Sequence, residues 1–397
     1  MRKINVAKKM EEMKKTVIPI HFILLLCLVI GGCSSDHETN DADVIAADVT
    51  YTPLAEYQTA EVVLVHTPGD ENEGSYGRNK RFDVNGMREE HLAFIQSLET
   101  HHIKVYELTD ILKEVPIEKL QAVARLLSAK DISQMNKEQL IHHILVTPPM
   151  KGIYFTRDQS ITTPRGHVIG KMKLAHRKYE PELIELCYEQ LGRKVAYKIQ
   201  GEDACLEGGD YLPFNTLSFI GEGLRTNRHA IEELLDADAI GHDTLVVVKD
   251  ALRNTAQMHL DTYFNIIDHD LVTLPATRLH AQEGESHYLA IDIYTREHGK
   301  RYYHQTTTNG SLVQFLQQRG ISFIPISDED EDNFGSNYIC ISPRHIIAIE
   351  GLSDDFKNNM QSHGVLVEFL KLKELTEGTG CAHCMTQVLN RQLSAPD

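Results

Sequence analysis

The chain has 397 residues, enough for one large domain or two ordinary ones. It is 42% hydrophobic and 24% charged, which fits a globular body and excludes a disordered or fibrous chain. The formal net charge of −17 argues against a nucleic-acid partner, whose phosphates demand a basic face, and suits a cationic ligand better.

The N-terminal stretch stands apart. Lys8, Lys9, Lys14 and Lys15 precede an apolar run from Val17 to Ile30, interrupted by Pro19 and His21. That run is short for a transmembrane helix and has the positive flank and apolar centre of a secretory signal. It ends Gly31-Gly32-Cys33-Ser34-Ser35, which resembles a bacterial lipoprotein signal in which Cys33 becomes the lipidated N-terminus. An ordinary signal peptide or a short anchor is the alternative. The expected organisation is a signal over 1–33, a flexible, polar, acidic tether over 34–55, and a folded domain over 56–397. The expected location is the cell envelope, lipid-anchored, with Ser34 resembling outer-membrane sorting.

Within the domain, Glu61–His66 reads as an apolar strand stopped by Pro68-Gly69. Leu92, Phe94 and Leu98 give helical spacing over Arg88–Glu99, and Ile103–Leu108 alternates as a strand. Residues 110–147 form a helical insertion, with Ile111, Leu112, Leu120, Val123, Leu126, Leu127, Leu140 and Ile144 apolar among Lys and Glu. Pro148-Pro149 closes it. Helices are then expected over Glu180–Leu191, Asn227–Leu235 and Leu312–Arg319. Strands are expected over His167–Met172, Leu217–Gly221, Thr244–Lys249, Tyr263–Ile267, Ile321–Pro325, Tyr338–Ile341, Ile346–Ile349 and Val365–Val367. Short strands alternating with helices indicate an α/β or α+β fold. No clean sequence repeat is visible.

Five stretches carry chemistry. Phe155-Thr-Arg-Asp158 sets a carboxylate at a strand end, where a turn or cap role is the ordinary alternative. Cys205-Leu-Glu207-Gly-Gly-Asp210 puts two acids around a sharp turn. Gly221-Glu-Gly-Leu-Arg225-Thr-Asn-Arg228 is a loop opening a helix, and Arg225 is either a surface residue or a carboxylate clamp. In Met258-His259-Leu260-Asp261-Thr262, His and Asp two apart on a strand would face one side, as a general acid/base and its carboxylate. Last comes Gly378-Thr379-Gly380-Cys381-Ala-His383-Cys384-Met-Thr386, a glycine-rich approach to a Cys that can act as a nucleophile. Seven cysteines occur, and with Cys27 and Cys33 set aside an odd number is left, so the spacing does not describe a disulfide framework. Cys381 and Cys384 form a Cys-x-x-Cys pair. They lack the second pair a zinc site would want, and an oxidised pair would block the nucleophile.

Taken in order, these stretches resemble the arginine deiminase family within the guanidine-modifying superfamily. The resemblance runs from about Ala60 to Arg391 and includes Arg177-Lys-Tyr-Glu180 and Phe334-Gly-Ser-Asn337. It implies an α/β propeller of five pseudo-symmetric ββαβ blades with a small helical insertion. It implies hydrolysis of L-arginine, or a related guanidine, to citrulline and ammonia, with no metal or organic cofactor. By family position, Cys384 is the nucleophile, His259 the acid and base, Glu207 its orienting carboxylate, and Asp158 and Asp261 the guanidinium clamps. Arg177 and Arg225 match residues that bind the substrate's carboxylate. Two positions depart from the pattern. Thr379 stands where the family has an Arg, and Gly152 where it often has an Asn. The guanidinium half of the site is complete and the amino-acid half partial, so modified, peptidyl or decarboxylated guanidines are further candidates. The alternatives are a dimethylarginine- or agmatine-type hydrolase, an amidinotransferase, a silent guanidine-binding lipoprotein, and, last, a thiol-redox lipoprotein. Expected partners are the guanidine, the membrane through the lipid, and a second copy in a homo-oligomer.

Overall fold

The computed structural model describes residues 55–298 and 300–392. The signal, Cys33 and all but the last residue of the tether lie outside the described residues. Among those described, no helix is long and apolar enough to cross a membrane.

The chain opens with β1 (Ala60–Val65), α1 (Val84–Thr100) and β2 (Lys104–Glu107). Helices α2 (Leu108–Glu114), α3 (Ile117–Leu127) and α4 (Lys137–Val146) follow. Next come β3 (Ser160–Thr163), β4 (Gly166–Ile169), α5 (Glu180–Gln190) and β5 (Val195–Lys198), then β6 (Tyr211–Phe214), β7 (Leu217–Glu222), α6 (Arg228–Asp236) and β8 (Thr244–Lys249). A longer run holds β9 (Asn265–Asp268), β10 (Leu271–Pro275), α7 (Ala276–Leu279), β11 (Ala290–Thr295), β12 (His304–Ser311), α8 (Leu312–Gln317) and β13 (Ser322–Ile326). The chain ends with α9 (Asp328–Asp332), β14 (Ile339–Ser342), β15 (His345–Ile349), α10 (Asp354–Ser362), β16 (Leu366–Leu370) and β17 (Gln387–Arg391).

This is the expected α/β class. The strands make five sheets among the described residues, and one topology recurs in all of them. Two strands pair antiparallel, a helical crossover follows, and a third strand adds parallel to the second. The sets are β3-β4-β5, β6-β7-β8, β9-β10-β13 and β14-β15-β16. The two ends of the chain complete the remaining set, since β17 pairs antiparallel with β1 and β1 runs parallel to β2. The structure therefore repeats where the sequence does not. What recurs is a pattern of apolar strand, turn and amphipathic helix, which many sequences satisfy. In the β9-β10-β13 set the crossover is long, and β11 and β12 within it extend the neighbouring sheet beyond β8.

Local chemistry explains the helix starts. Asp83 caps α1 by accepting from the Gly86 N–H, so the helix begins earlier than its apolar spacing alone predicts. Asn227, Ser311, Ser327 and Ser353 cap α6, α8, α9 and α10 in the same way. In the inserted region, Leu108, Ile111, Leu112, Leu120, Val123, Leu140 and Ile144 pack with Leu183, Ile184 and Cys187 of α5 in one buried cluster.

Several elements escape the sequence reading. β12 is nearly all polar and lies at a sheet edge, where alternation is not required. Helix α10 buries only Phe356 and Met360. β6 contains Pro213, tolerated because β6 is an edge strand. The expected strand across His259 and Asp261 is corrected: strand β9 starts later, at Asn265, and Leu260–Thr262 is a short 3-10 turn. Asp210 sets this turn by accepting the Leu260 N–H at 2.9 Å.

Candidate active site

The five ββαβ sets place their chemistry at equivalent points. Asp158 precedes β3, Glu207 precedes β6, His259 and Asp261 precede β9, Asn337 precedes β14, and Cys384 precedes β17. Hydrogen bonds join these entry segments into a closed circuit. The Gly208 N–H donates to the Asp158 carbonyl at 2.8 Å, and His259 Nε2 meets Glu207 Oε2 at 2.9 Å. Asn337 Nδ2 donates to the Asp261 carbonyl at 3.0 Å, while Asn337 Oδ1 accepts from the Cys384 N–H at 3.3 Å. The Arg157 N–H then donates to the Cys384 carbonyl at 3.1 Å. Residues far apart in sequence thus meet because each unit contributes the same corner.

Close packing at this junction demands glycine. A Cβ on Gly209 would come within 2.7 Å of His259 Nδ1, and one on Gly378 within 1.7 Å of the Tyr154 hydroxyl. Both φ angles are ordinary, so the need is for space rather than for a left-handed backbone. Thr379 does adopt a left-handed conformation, with φ of 73°. That costs a β-branched residue about 1–2 kcal/mol.

Cys384 is 3% exposed and lines a cavity of about 340 Å³ together with Asp158, Arg177, Arg225, His259, Gly152 and Thr379. Its Sγ lies 3.5 Å from Asp261 Oδ2, and that oxygen also meets His383 Nδ1 at 2.7 Å. Burial, then the charges of Asp261 and Asp158, push the Cys384 thiol well above its ordinary range. The resting site therefore holds a thiol. A cation placed between the two carboxylates would offset the part of this rise that their charges cause.

Two buried carboxylate oxygens, Asp158 Oδ1 and Asp261 Oδ1, accept no hydrogen bond from the protein. His259 Nδ1 is 3.6 Å from Asp158 Oδ1. Burial alone would lower His259, but Asp158, Glu207 and Asp210 outweigh it and raise it to about 10. Its partner Glu207, which burial would raise, is brought to about 2 by His259, Arg177 and Arg225. His259 is thus an imidazolium at neutral pH, with a proton to give.

Arg177 and Arg225 are in the pocket, but neither is free. Arg177 Nη1 donates to Asp158 Oδ2 at 2.7 Å, its Nε and Nη2 lie on Glu180, and Nη2 also donates to the Gly152 carbonyl at 2.9 Å. A Cβ at position 152 would fall 2.4 Å from Arg177 Nε, so glycine there makes room for this guanidinium. Arg225 Nη1 contacts Glu207 Oε2 at 3.1 Å. The expected carboxylate binders are therefore tied to the acids at the guanidinium end. Arg78 and Lys151, exposed on the cavity lining, are the cations nearest the solvent side. Asp158, Glu207 and His259 offer donor atoms within 4.8 Å of one another, as a metal site would, but the two guanidinium groups already balance the two carboxylates.

Three residues at the junction were given no role from sequence. Asn337 Oδ1 holds the Cys381 N–H at 2.8 Å as well as that of Cys384, fixing the loop. His383 orients Asp261, and Asp210 holds the turn carrying His259. Their signal was present in Ser336-Asn337, His383-Cys384 and Gly-Gly-Asp210, each beside a residue already singled out. Cys381 is a free, buried thiol pushed up to about 12, mainly by burial.

The family model described as arginine deiminase matches residues 119–391, more than half of the chain. The chain belongs to the arginine deiminase family. The arginine deiminase of Limosilactobacillus fermentum is 28% identical over 265 residues, covering 62% of this chain and 62% of that protein. The enzyme of Listeria monocytogenes is 27% identical over 281 residues, covering 66% of each. The chain thus spans a little under two thirds of the curated relatives it matches. Among solved structures, a Pseudomonas aeruginosa DDAH mutant complexed with citrulline aligns with a TM-score of 0.55 at 15% identity, over 83% of this chain and 98% of that one. AgrE in a ternary complex with ornithine and NAD+ aligns with a TM-score of 0.57 at 17% identity, over 84% of this chain and 40% of that one. These two structures share the fold of the arginine deiminase homologue described here.

Proposed function

We propose that this protein hydrolyses L-arginine to L-citrulline and ammonia through a covalent intermediate on Cys384. The observation that carries the reading is the setting of Cys384: its Sγ lies 3.5 Å from Asp261 Oδ2 and it shares the cavity with Asp158 and His259, while Asp158 Oδ1 and Asp261 Oδ1 are buried and accept no hydrogen bond from the protein. A planar guanidinium donates to such acceptors as a charge-assisted fork and sets its carbon before the sulfur. The bound cation offsets the two carboxylate charges, so the thiol loses its proton to solvent and becomes a nucleophile. The thiolate forms a C–S bond to the guanidinium carbon. As the tetrahedral adduct collapses, its C–N bond breaks and the imidazolium of His259 gives its proton to the departing nitrogen, which leaves as ammonia. The thiouronium that remains is attacked by water, whose proton goes to the now neutral His259. The C–S bond then breaks as the remaining hydroxyl proton passes to the departing sulfur, which restores the thiol, and citrulline departs. Glu207 holds His259 in register throughout, and no cofactor takes part.

Assay of the full chain, reduced and in detergent, with L-arginine tests this. Equal yields of citrulline and ammonia, abolished by Cys384→Ala, are expected. Arginine binding without turnover would favour a silent guanidine-binding protein instead. Thr379 and the engaged Arg177 and Arg225 support a second substrate set, modified or decarboxylated guanidines, to be compared with arginine in the same assay.

The N-terminal sequence supports anchoring to the cell envelope by lipid on Cys33. Labelling of cells with a radioactive fatty acid should mark the wild-type chain and not Cys33→Ala. Equal labelling would end that reading.

A further inference from the structure

We infer that His101, His345 and Glu368 form a binding site for a divalent transition-metal ion of the zinc class, separate from the cavity that holds Cys384. One ligand atom from each of the three lies within 4.8 Å of the others. They come from three elements: His101 ends α1, His345 opens β15, and Glu368 sits in β16. β15 and β16 are parallel, and Ile347 is in register with Glu368. His345, two residues before Ile347, therefore shares a sheet face with Glu368. The end of α1 covers that face, since Ser97 and His101 both reach Glu368.

The donor set is two imidazoles and one carboxylate. It suits zinc, cobalt, nickel or copper and disfavours calcium or magnesium, which take all-oxygen shells. The outer support is also in place. Ser97 Oγ donates to Glu368 Oε1 at 2.7 Å, which fixes the carboxylate and leaves Oε2 turned to His101 Nε2 at 2.7 Å. The rings of His101 and His345 stand edge to face with centroids 4.8 Å apart. Among the described residues, neither ring nitrogen of His345 has a hydrogen-bond partner. A hydrogen-bonded cluster would need only His101, Glu368 and Ser97; a metal site also gives His345 a partner. The C-terminal end of α1, a helix of 17 residues, adds partial negative charge on the same side. Metal binding would displace the proton between His101 and Glu368, draw in His345 and leave a fourth position to water. The side chains of His101 and Glu368 are 28% and 33% exposed, so an ion has access. An ion held there would clamp the helix of the β1-α1-β2 unit onto the β15–β16 pair.

The test is titration of the chelator-stripped full chain, in detergent, with Co2+, read by its visible ligand-field band, and with Zn2+ by competition. One site is expected. His345→Ala should weaken binding at least tenfold, Glu368→Gln likewise, and Ser97→Ala by roughly tenfold or more. His269→Ala serves as a control, because Asp268, His269 and Asp270 form another cluster of donor atoms and should not produce the band. Because the His345 side chain has no hydrogen-bond partner among the described residues and its strand pairing is by backbone, His345→Ala should melt like wild type without metal, and so carries the test if Glu368→Gln fails to fold. Absence of binding, or a band and affinity unchanged in His345→Ala, would overturn the proposal.

Discussion

The two ends of the pocket are built differently. At the inner end, Cys384, Asp261, His259, Glu207 and Asp158 are buried and held by the circuit that joins the five entry segments. At the outer end, Arg78 and Lys151 are exposed on the cavity lining, which Thr379 and Gly152 share. The inner end has the traits of a site in which geometry fixes the chemistry, because each side chain is set by a second one. On the proposed reading the outer end meets the rest of the substrate with exposed charges, of which Arg78 donates to the Asp332 carbonyl at 2.9 Å, and exposed charges contribute little each. The comparison separates reaction from substrate choice.

Substitutions at the inner end should cost most. Cys384→Ala should remove turnover altogether while leaving arginine binding measurable by calorimetry. His259→Ala should lower kcat by about 10²–10⁴-fold, the usual worth of a positioned acid and base, with a much smaller change in KM. Equal losses in kcat and in binding would mean that His259 only shapes the pocket.

The electrostatics of the inner end can be sharpened without substrate. Asp261 raises the Cys384 thiol, so Asp261→Asn should bring it down. At mildly alkaline pH, alkylation of Cys384 by iodoacetamide should then run faster in the variant. A slower reaction would reverse the sign of the account. The His259–Glu207 pair also gives a stability prediction. His259 rises from 6.5 to about 10 on folding, so its contribution is complete below 6.5 and is lost as pH climbs through about 10. Glu207 falls from 4.5 to about 2, so its contribution is complete above 4.5 and is lost as pH drops towards 2. The pair should therefore stabilise most between those ordinary values, and Glu207→Gln should flatten both limbs of the denaturation profile.

Much of the inner end could be read from sequence because its residues sit in short, unusual strings: Glu207 before two glycines, His259 two before Asp261, Cys384 after a glycine-rich run. The supports were harder to see. Asn337 acts through its amide on a loop that lies far along the chain, and only the folded circuit shows the pairing. The same holds for the fold. Strands such as β8, with the run Thr244–Lys249, announce themselves, whereas polar β12 and sparsely apolar α10 are fixed by sheet edge and cap rather than by periodicity. The engagement of Arg177 by Asp158 and Glu180 depends on the space left by Gly152, which no local pattern encodes.

Outer-end substitutions should have smaller effects. Lys151→Ala and Arg78→Ala should raise KM for arginine by a few fold, on the order of 1 kcal/mol or less, and leave kcat unchanged. The rise should vanish for agmatine, which lacks the carboxylate; an equal rise for agmatine would remove these residues from carboxylate recognition. Smallest of all, Thr379→Gly relieves a left-handed backbone and should raise stability to denaturant by about 1 kcal/mol or less.

The most direct measurement is citrulline release from L-arginine by the reduced full chain, with Cys384→Ala alongside. The account predicts citrulline and ammonia in equal amounts from the wild type and none from the variant. Silence of the wild type toward arginine and toward a panel of other guanidines, with binding retained, would contradict it.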